Sequence, residues 1–166
     1  MYNDTYEELL IKRKAAPLLI LLRYLSIAVT IVLALFGLLG YLLFMIAAVV
    51  CGVAAYFIYL YSDLEYEYLY VDKQLSVDKV MAKSRRKKAD EFDLERMEVL
   101  APINSYHLDD YKNKNYKTVD YSSGVAGQPD KRYVMYFNGE KKVIFEPDAK
   151  MVKAIQNIAP RKVFTD

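Results

Sequence analysis

The chain begins with mixed polar and apolar positions and then loses its charges altogether. Between Arg23 and Asp63 stand 39 consecutive uncharged residues, Tyr24 to Ser62. One helix of that length would run about 58 Å, against a hydrocarbon core of about 30 Å. The run therefore folds back, and Gly37-Leu38-Leu39-Gly40 marks the place. Tyr41 to Tyr61 makes a span of about 32 Å. The first arm reaches a similar length when it starts at Leu18, with Pro17 in its first turn. That start puts Arg23 inside the helix, where its stem lets the guanidinium snorkel to the headgroups.

Beyond Asp63 the period changes to two. Leu64, Tyr66, Tyr68 and Tyr70 alternate with Glu65, Glu67 and Leu69. Asp72-Lys73 turns the chain into Leu75 to Ala82. A polar, basic connection leads to Ala89 to Asp93 and then Met97 to Ala101, which Pro102 ends. Ile103 to Asn115 is a polar loop. Alternation resumes over Tyr116 to Tyr121, and the breakers Ser122-Ser123-Gly124 and Gly127-Gln128-Pro129-Asp130 follow. Lys131 to Phe137 and Lys142 to Phe145 flank Asn138-Gly139, a strong hairpin signal. Asp148 caps a final helix with Met151, Val152, Ile155 and Ile158 on one face, and Pro160 stops it. Seven short antiparallel strands and one amphipathic helix make one small domain.

The stretch before the spans reads as a helix. Thr5-Tyr6-Glu7-Glu8 is a capping box, and Tyr2, Tyr6, Leu9 and Leu10 share a helical face. The chain thus divides into an amphipathic N-terminal segment (1–16), a two-helix transmembrane hairpin (17–62) and a soluble domain (63–166). Within the hairpin, Ser26, Thr30 and Ala34 recur at spacing four, and Ala48, Gly52 and Ala55 form a matching stripe. Small residues let helix backbones approach closely, and Ser or Thr can bond across. The stripes serve packing within one hairpin or contact with a second copy. Cys51 beside them is a packing residue, since hydrocarbon disfavours its thiolate.

Charge sets the orientation. Lys12, Arg13, Lys14 and Arg23 precede the first span, and Lys83 to Lys88 follow the second. Basic flanks stay inside, so an even number of spans places both termini in the cytoplasm, at the cell membrane. Tyr24, Tyr41, Tyr56, Tyr59 and Tyr61 fall near the expected interfaces. Residues 63–166 hold 19 of the 23 Lys/Arg and 18 of the 21 Asp/Glu, a net charge of only +1. That balance argues against nucleic acid as a partner.

Seven strands in two curled sheets, closed by a C-terminal helix, resemble the pleckstrin-homology (PH) superfold. The local pattern is similar to bacterial PH-like domains that follow membrane spans. A first strand like Leu64-Glu65-Tyr66-Glu67-Tyr68 is followed by a tight turn into Leu75-Ser76-Val77-Asp78-Lys79. A basic turn like Ser84-Arg85-Arg86-Lys87-Lys88 and a strand like Met97-Glu98-Val99-Leu100-Ala101-Pro102 come next. The resemblance is to a family of small two-span bacterial membrane proteins known only as a domain of unknown function, and it covers nearly the whole chain. It implies a PH-like seven-stranded barrel or sandwich capped by the helix, and no activity. PH domains that read inositol phosphates use a longer basic loop between their first two strands. Here that turn is only Val71-Asp72-Lys73-Gln74.

Candidate chemistry is sparse. One Cys and one His leave no usual metal site, and the Gly residues form no phosphate loop. Ser105, His107 and Asp109 or Asp110 crowd one polar loop, where no spacing fixes a nucleophile against a base. The expectation is a protein without catalytic, cofactor or metal-binding residues. The concentrated feature is Lys83, Arg85, Arg86, Lys87 and Lys88, five cations in six positions. These serve as a topogenic signal, as a contact for anionic lipid, or as a protein-binding surface. The leading expectation is a non-enzymatic membrane protein with a PH-like interaction or scaffold domain. The alternatives are an anionic-lipid reader and an accessory subunit of a membrane complex, with a protein partner or a second copy on its helices.

Overall fold

The computed structural model describes residues 6–166. Two long helices come first, α1 (Pro17–Leu38) and α2 (Leu42–Ser62). Pro17 occupies the first turn of α1, where its missing N–H costs nothing. The reversal is tighter than Gly37-Leu38-Leu39-Gly40. Gly37 belongs to α1, and the chain turns at Leu39-Gly40, with Gly40 at φ +102°. That angle is open to glycine and strained for other residues. Both helices are long and apolar enough to cross a membrane, and few of their residues are buried.

Eight strands are described, one more than the pattern suggested. They are β1 (Glu7–Lys12), β2 (Leu64–Val71), β3 (Gln74–Met81), β4 (Arg85–Asp93), β5 (Met97–Pro102), β6 (Lys117–Asp120), β7 (Tyr133–Phe137) and β8 (Lys141–Phe145). A third helix, α3 (Ala149–Ile158), follows them. The strands form two four-stranded sheets, ordered β1-β2-β3-β4 and β5-β7-β8-β6, and not a closed seven-stranded barrel. Nor are all pairings antiparallel. β6 lies parallel to β8, because the loop after β6 crosses to β7 and the Asn138-Gly139 hairpin then brings β8 back.

The largest departure is β1. Residues 7–12 form an edge strand, not an amphipathic helix, pairing antiparallel with β2 from Glu7↔Tyr70 to Lys12↔Glu65. Exposure alternates along it, with Leu9 and Ile11 half-buried and Leu10 turned out. Six residues are too few to hold a helix alone, whereas the free edge of β2 offers a row of hydrogen-bonding groups. Tyr2 and Thr5 of the expected helix face and capping box lie outside the described residues.

The molecule divides into two compact units. The sheet unit comprises 6–14, 65–80 and 86–166. Its core contains aromatic pairs between the two sheets: Phe92 meets Phe137 at 5.2 Å, and Tyr68 meets Phe145 at 5.6 Å between ring centres. α3 buries Met151, Val152, Ala154 and Ile155, with Asp148 capping its first turn through the Met151 N–H at 2.8 Å. The last residues protect the β5 edge, where Leu100 N–H donates to Lys162 O and Phe164 N–H to Leu100 O.

A polar network also ties the sheets together. The buried Tyr68 hydroxyl donates to Tyr121 O (2.6 Å) and accepts from Glu146 N–H (3.2 Å). Tyr121 donates to Asp90 (2.8 Å), which also takes the Lys141 ammonium at 2.6 Å. Burial raises the pKa of both tyrosines well above the ordinary phenol value, so both stay neutral donors.

The helix unit comprises 15–64 together with 81–85. Its facing residues repeat in steps of three or four: Arg23, Ser26, Thr30, Ala34 and Gly37 on α1, and Ala48, Gly52, Ala55 and Tyr59 on α2. A Cβ on Gly37 would come within 2.9 Å of the Met45 backbone, whereas one on Gly52 would meet Thr30 Cγ2 at 3.5 Å. Gly52 of one stripe thus lies against Thr30 of the other. The hydroxyls do not bond across, however: Thr30 donates to Ser26 O (2.8 Å) and Ser26 to Arg23 O (2.9 Å). Each satisfies itself on its own helix, so between the stripes side-chain size and not hydrogen bonding shapes the contact.

Candidate functional site

The five cations do not form a free loop. The β3–β4 hairpin turns at Ala82-Lys83, both at positive φ (47° and 54°), and β4 already begins at Arg85. Two consecutive left-handed residues make the tight turn that twisted hairpins favour, although neither is a glycine. Early strand pairing, which the basic composition concealed, converts the expected turn into a strand end with Arg85 to Lys88 all exposed.

Their partners differ. Arg86 donates to the buried Glu67 carboxylate at 2.7 Å, and Lys88 pairs with Glu91 at 2.9 Å. Among the described residues Arg85 meets no carboxylate; its guanidinium carbon lies 5.9 Å from the Tyr56 ring centre. The tip is held by Ala82 N–H, which donates to Asp63 O at 2.7 Å. Residues 81–85 therefore fold with the helix pair, close to where α2 ends. Sequence reading treated the five cations as equivalent, and only the structure sorts them.

The Glu67 pair has its own electrostatics. Burial raises the Glu67 pKa, and a hydrogen bond shared with Glu8 adds to it, while Arg86 opposes the rise. Glu8 is held below its ordinary value by the Tyr6 hydroxyl and by Glu67. The pair thus keeps Glu8 ionised and makes Glu67 the group that takes up a proton.

Arg23 is a second unusual cation. Its guanidinium carbon sits 4.4 Å from the Tyr59 ring centre and 5.8 Å from that of Tyr24. Its Nε is enclosed and without a hydrogen-bond partner. Neither α1 nor α2 contains an acidic residue.

Elsewhere, polar residues serve the fold. Ser105 Oγ accepts from the backbone N–H of His107 (3.3 Å), while Asp109 pairs with Lys112 (2.5 Å). The His107 ring stacks on Phe164 at 3.6 Å and faces Asp166 at 3.8 Å, so the structure does not bring the Ser, His and Asp of that loop into a relay. Among the described residues no cluster of three or more His, Cys, Asp and Glu could hold a metal. Cys51 is a free thiol in α2. An open groove of about 470 Å³, unmarked by any sequence signal, lies by the end of α3, with Leu94, Ile158 and Pro160 in its lining and Lys73, Glu95, Arg161 and Lys162 around them.

Two helices of membrane-spanning length joined to a two-sheet domain with a C-terminal helix define a class: a β-rich domain carried on an apolar helix pair. The family model described as "Bacterial PH-like domain (DUF6106)" matches residues 3–165, and the chain belongs to that family. No match was found among curated proteins or among solved structures.

Proposed function

We propose that the chain is a non-enzymatic integral membrane protein whose helix pair anchors a PH-like interaction domain at the inner face of the cell membrane, and that this domain's first partner is anionic lipid. The observation that carries this reading is the fold of residues 81–85 with the helix pair, which keeps Lys83 and Arg85 near the end of a span. Each cation close to an anionic surface contributes about 1 kcal/mol to attraction, a field that fades within a Debye length of about 8 Å at physiological salt. The β1–β2 pairing supports a common side for both flanks, because the chain leaves one strand for α1 and returns from α2 into its neighbour. Basic flanks then favour the cytoplasm for both termini.

Hydrogen exchange of the full chain in nanodiscs tests the lipid contact. Amides of residues 81–88 should gain protection in anionic over neutral bilayers and lose the gain in high salt. Equal protection in both bilayers would contradict the reading.

The groove at Lys73, Arg161 and Lys162 favours a second reading, a scaffold for an acidic protein segment. Apolar lining flanked by Arg161 and Lys162, beside the Lys73–Glu95 ion pair at 2.9 Å, suits such a partner. Arg161→Glu should then release a partner retained in mild detergent, and Lys87→Glu should not.

A further inference from the structure

We infer that Arg23, Tyr56, Tyr59 and Arg85 form a binding site for the phosphate of an anionic phospholipid. The inference rests on the reading that α1 and α2 cross a bilayer. Tyr56 and Tyr59 stand about one turn apart in the last two turns of α2, which ends at Ser62. Each carries a guanidinium against its ring, Arg23 at 4.4 Å and Arg85 at 5.9 Å. An Arg lying over a ring uses its face for the aromatic contact and keeps the N–H groups of its edge for an anion.

Among the described residues no carboxylate pairs with either charge. Arg86 and Lys88, by contrast, hold Glu67 and Glu91. Arg23 comes from the second turn of a helix without acidic residues, and its Nε is enclosed, which leaves the terminal nitrogens of the fork to meet an anion. A cation inside a spanning segment is costly unless paired, and here the uncompensated groups are two planar forks beside two phenols. At the level of the last turns of a span, the anion that bilayers supply is the headgroup phosphate. Fork geometry suits its paired oxygens, and the phenols settle at the same depth. The site involves the helix pair and the hairpin tip, and none of the loops of the sheet unit.

Native mass spectrometry of the full chain in detergent tests this, using phosphatidylglycerol and phosphatidylcholine as probes and inorganic phosphate as competitor. Wild type should retain phosphatidylglycerol in preference. Arg85→Gln, an exposed change, should weaken retention about fivefold, and Arg23→Gln with Arg85→Gln about thirtyfold, as roughly 1 kcal/mol per charge implies. Arg23→Lys should lose part of the preference while keeping the charge, and Lys87→Gln, which is not one of the four site residues, should stay within about twofold of wild type. Millimolar inorganic phosphate should not displace the lipid. Unchanged retention in the Arg85→Gln and Arg23→Lys variants would overturn the site, and so would equal retention of phosphatidylcholine or displacement by free phosphate. Alkaline carbonate extraction separates the two failures: a chain that remains with the membrane keeps the anchor reading even when the site is lost.

Discussion

Arg13 donates through Nη1 to the Tyr66 hydroxyl at 2.6 Å, although both apolar helices lie between them in the chain. The same nitrogen reaches Asp120 O at 2.9 Å. The residues before α1 and after α2 are thus stitched into one sheet unit, which explains why a strand stands at residues 7–12.

This makes β1 indispensable to that unit. A fragment of residues 63–166 leaves the β2 edge unpaired and uncovers the surface that Leu9 and Ile11 cover. Replacing residues 15–62 by a short Gly/Ser linker restores the β1–β2 hairpin. The linked form should be more stable than the bare fragment by about 2 kcal/mol, from two half-buried aliphatic side chains. Urea unfolding measures the difference, and coincident midpoints would show that β1 adds nothing.

The helix contact depends on Gly37 more than on Gly52. Gly37→Ala would drive a Cβ to 2.9 Å from the Met45 backbone, while Gly52→Ala finds 3.5 Å to a methyl group. In detergent, Gly37→Ala should destabilise the pair by about 1–3 kcal/mol, as overpacking does, and Gly52→Ala by much less. Gly52→Leu should still disturb it more than Val49→Leu, because Val49 is 64% exposed. Thermal melts of the four variants check this order, and equal melts would refute the assigned face.

How far these features were legible depends on the distance over which each is decided. The two long apolar helices, the Asn138-Gly139 hairpin and the Asp148-capped helix are written in local residues, and all are present. β1 is not local: Glu7-Glu8-Leu9-Leu10-Ile11-Lys12 fits a helical face, and only the distant β2 edge makes it a strand. The strand character of Arg85 to Lys88 was hidden likewise, since pairing with β3 overrides their charge. The cluster of five cations was plain, but their sorting into Arg86 with Glu67, Lys88 with Glu91 and Arg85 with Tyr56 depends on cross-strand and cross-element geometry.

Tyr68 joins the sheets through one hydroxyl. Tyr68→Phe leaves Tyr121 O and Glu146 N–H without their partner in a buried place. The expected cost is about 1–3 kcal/mol, the penalty for unsatisfied buried groups. Chemical unfolding of the full chain's sheet signal reads it, and a loss below about 0.5 kcal/mol would show that water replaces the hydroxyl.

Glu67 sets a pH dependence. Its folded pKa is raised, so its contribution to stability is complete below the ordinary carboxylate pKa and is lost as pH rises through the raised value. Glu67→Gln should therefore flatten the stability profile just above the ordinary carboxylate range. An unchanged slope in thermal melts across that interval would mean that Glu67 is solvated in the folded state.

The proposed anchor requires both flanks of the helix pair to share the cytoplasmic side of a membrane. Thiol labelling in a Cys51→Ser background tests it, with single changes Tyr6→Cys, Leu39→Cys and Asp166→Cys at exposed positions. An impermeant maleimide should label Leu39→Cys on intact cells, and the other two only after permeabilisation. Labelling of Tyr6→Cys and Asp166→Cys on opposite sides, or of Leu39→Cys on the same side as both, would contradict the account.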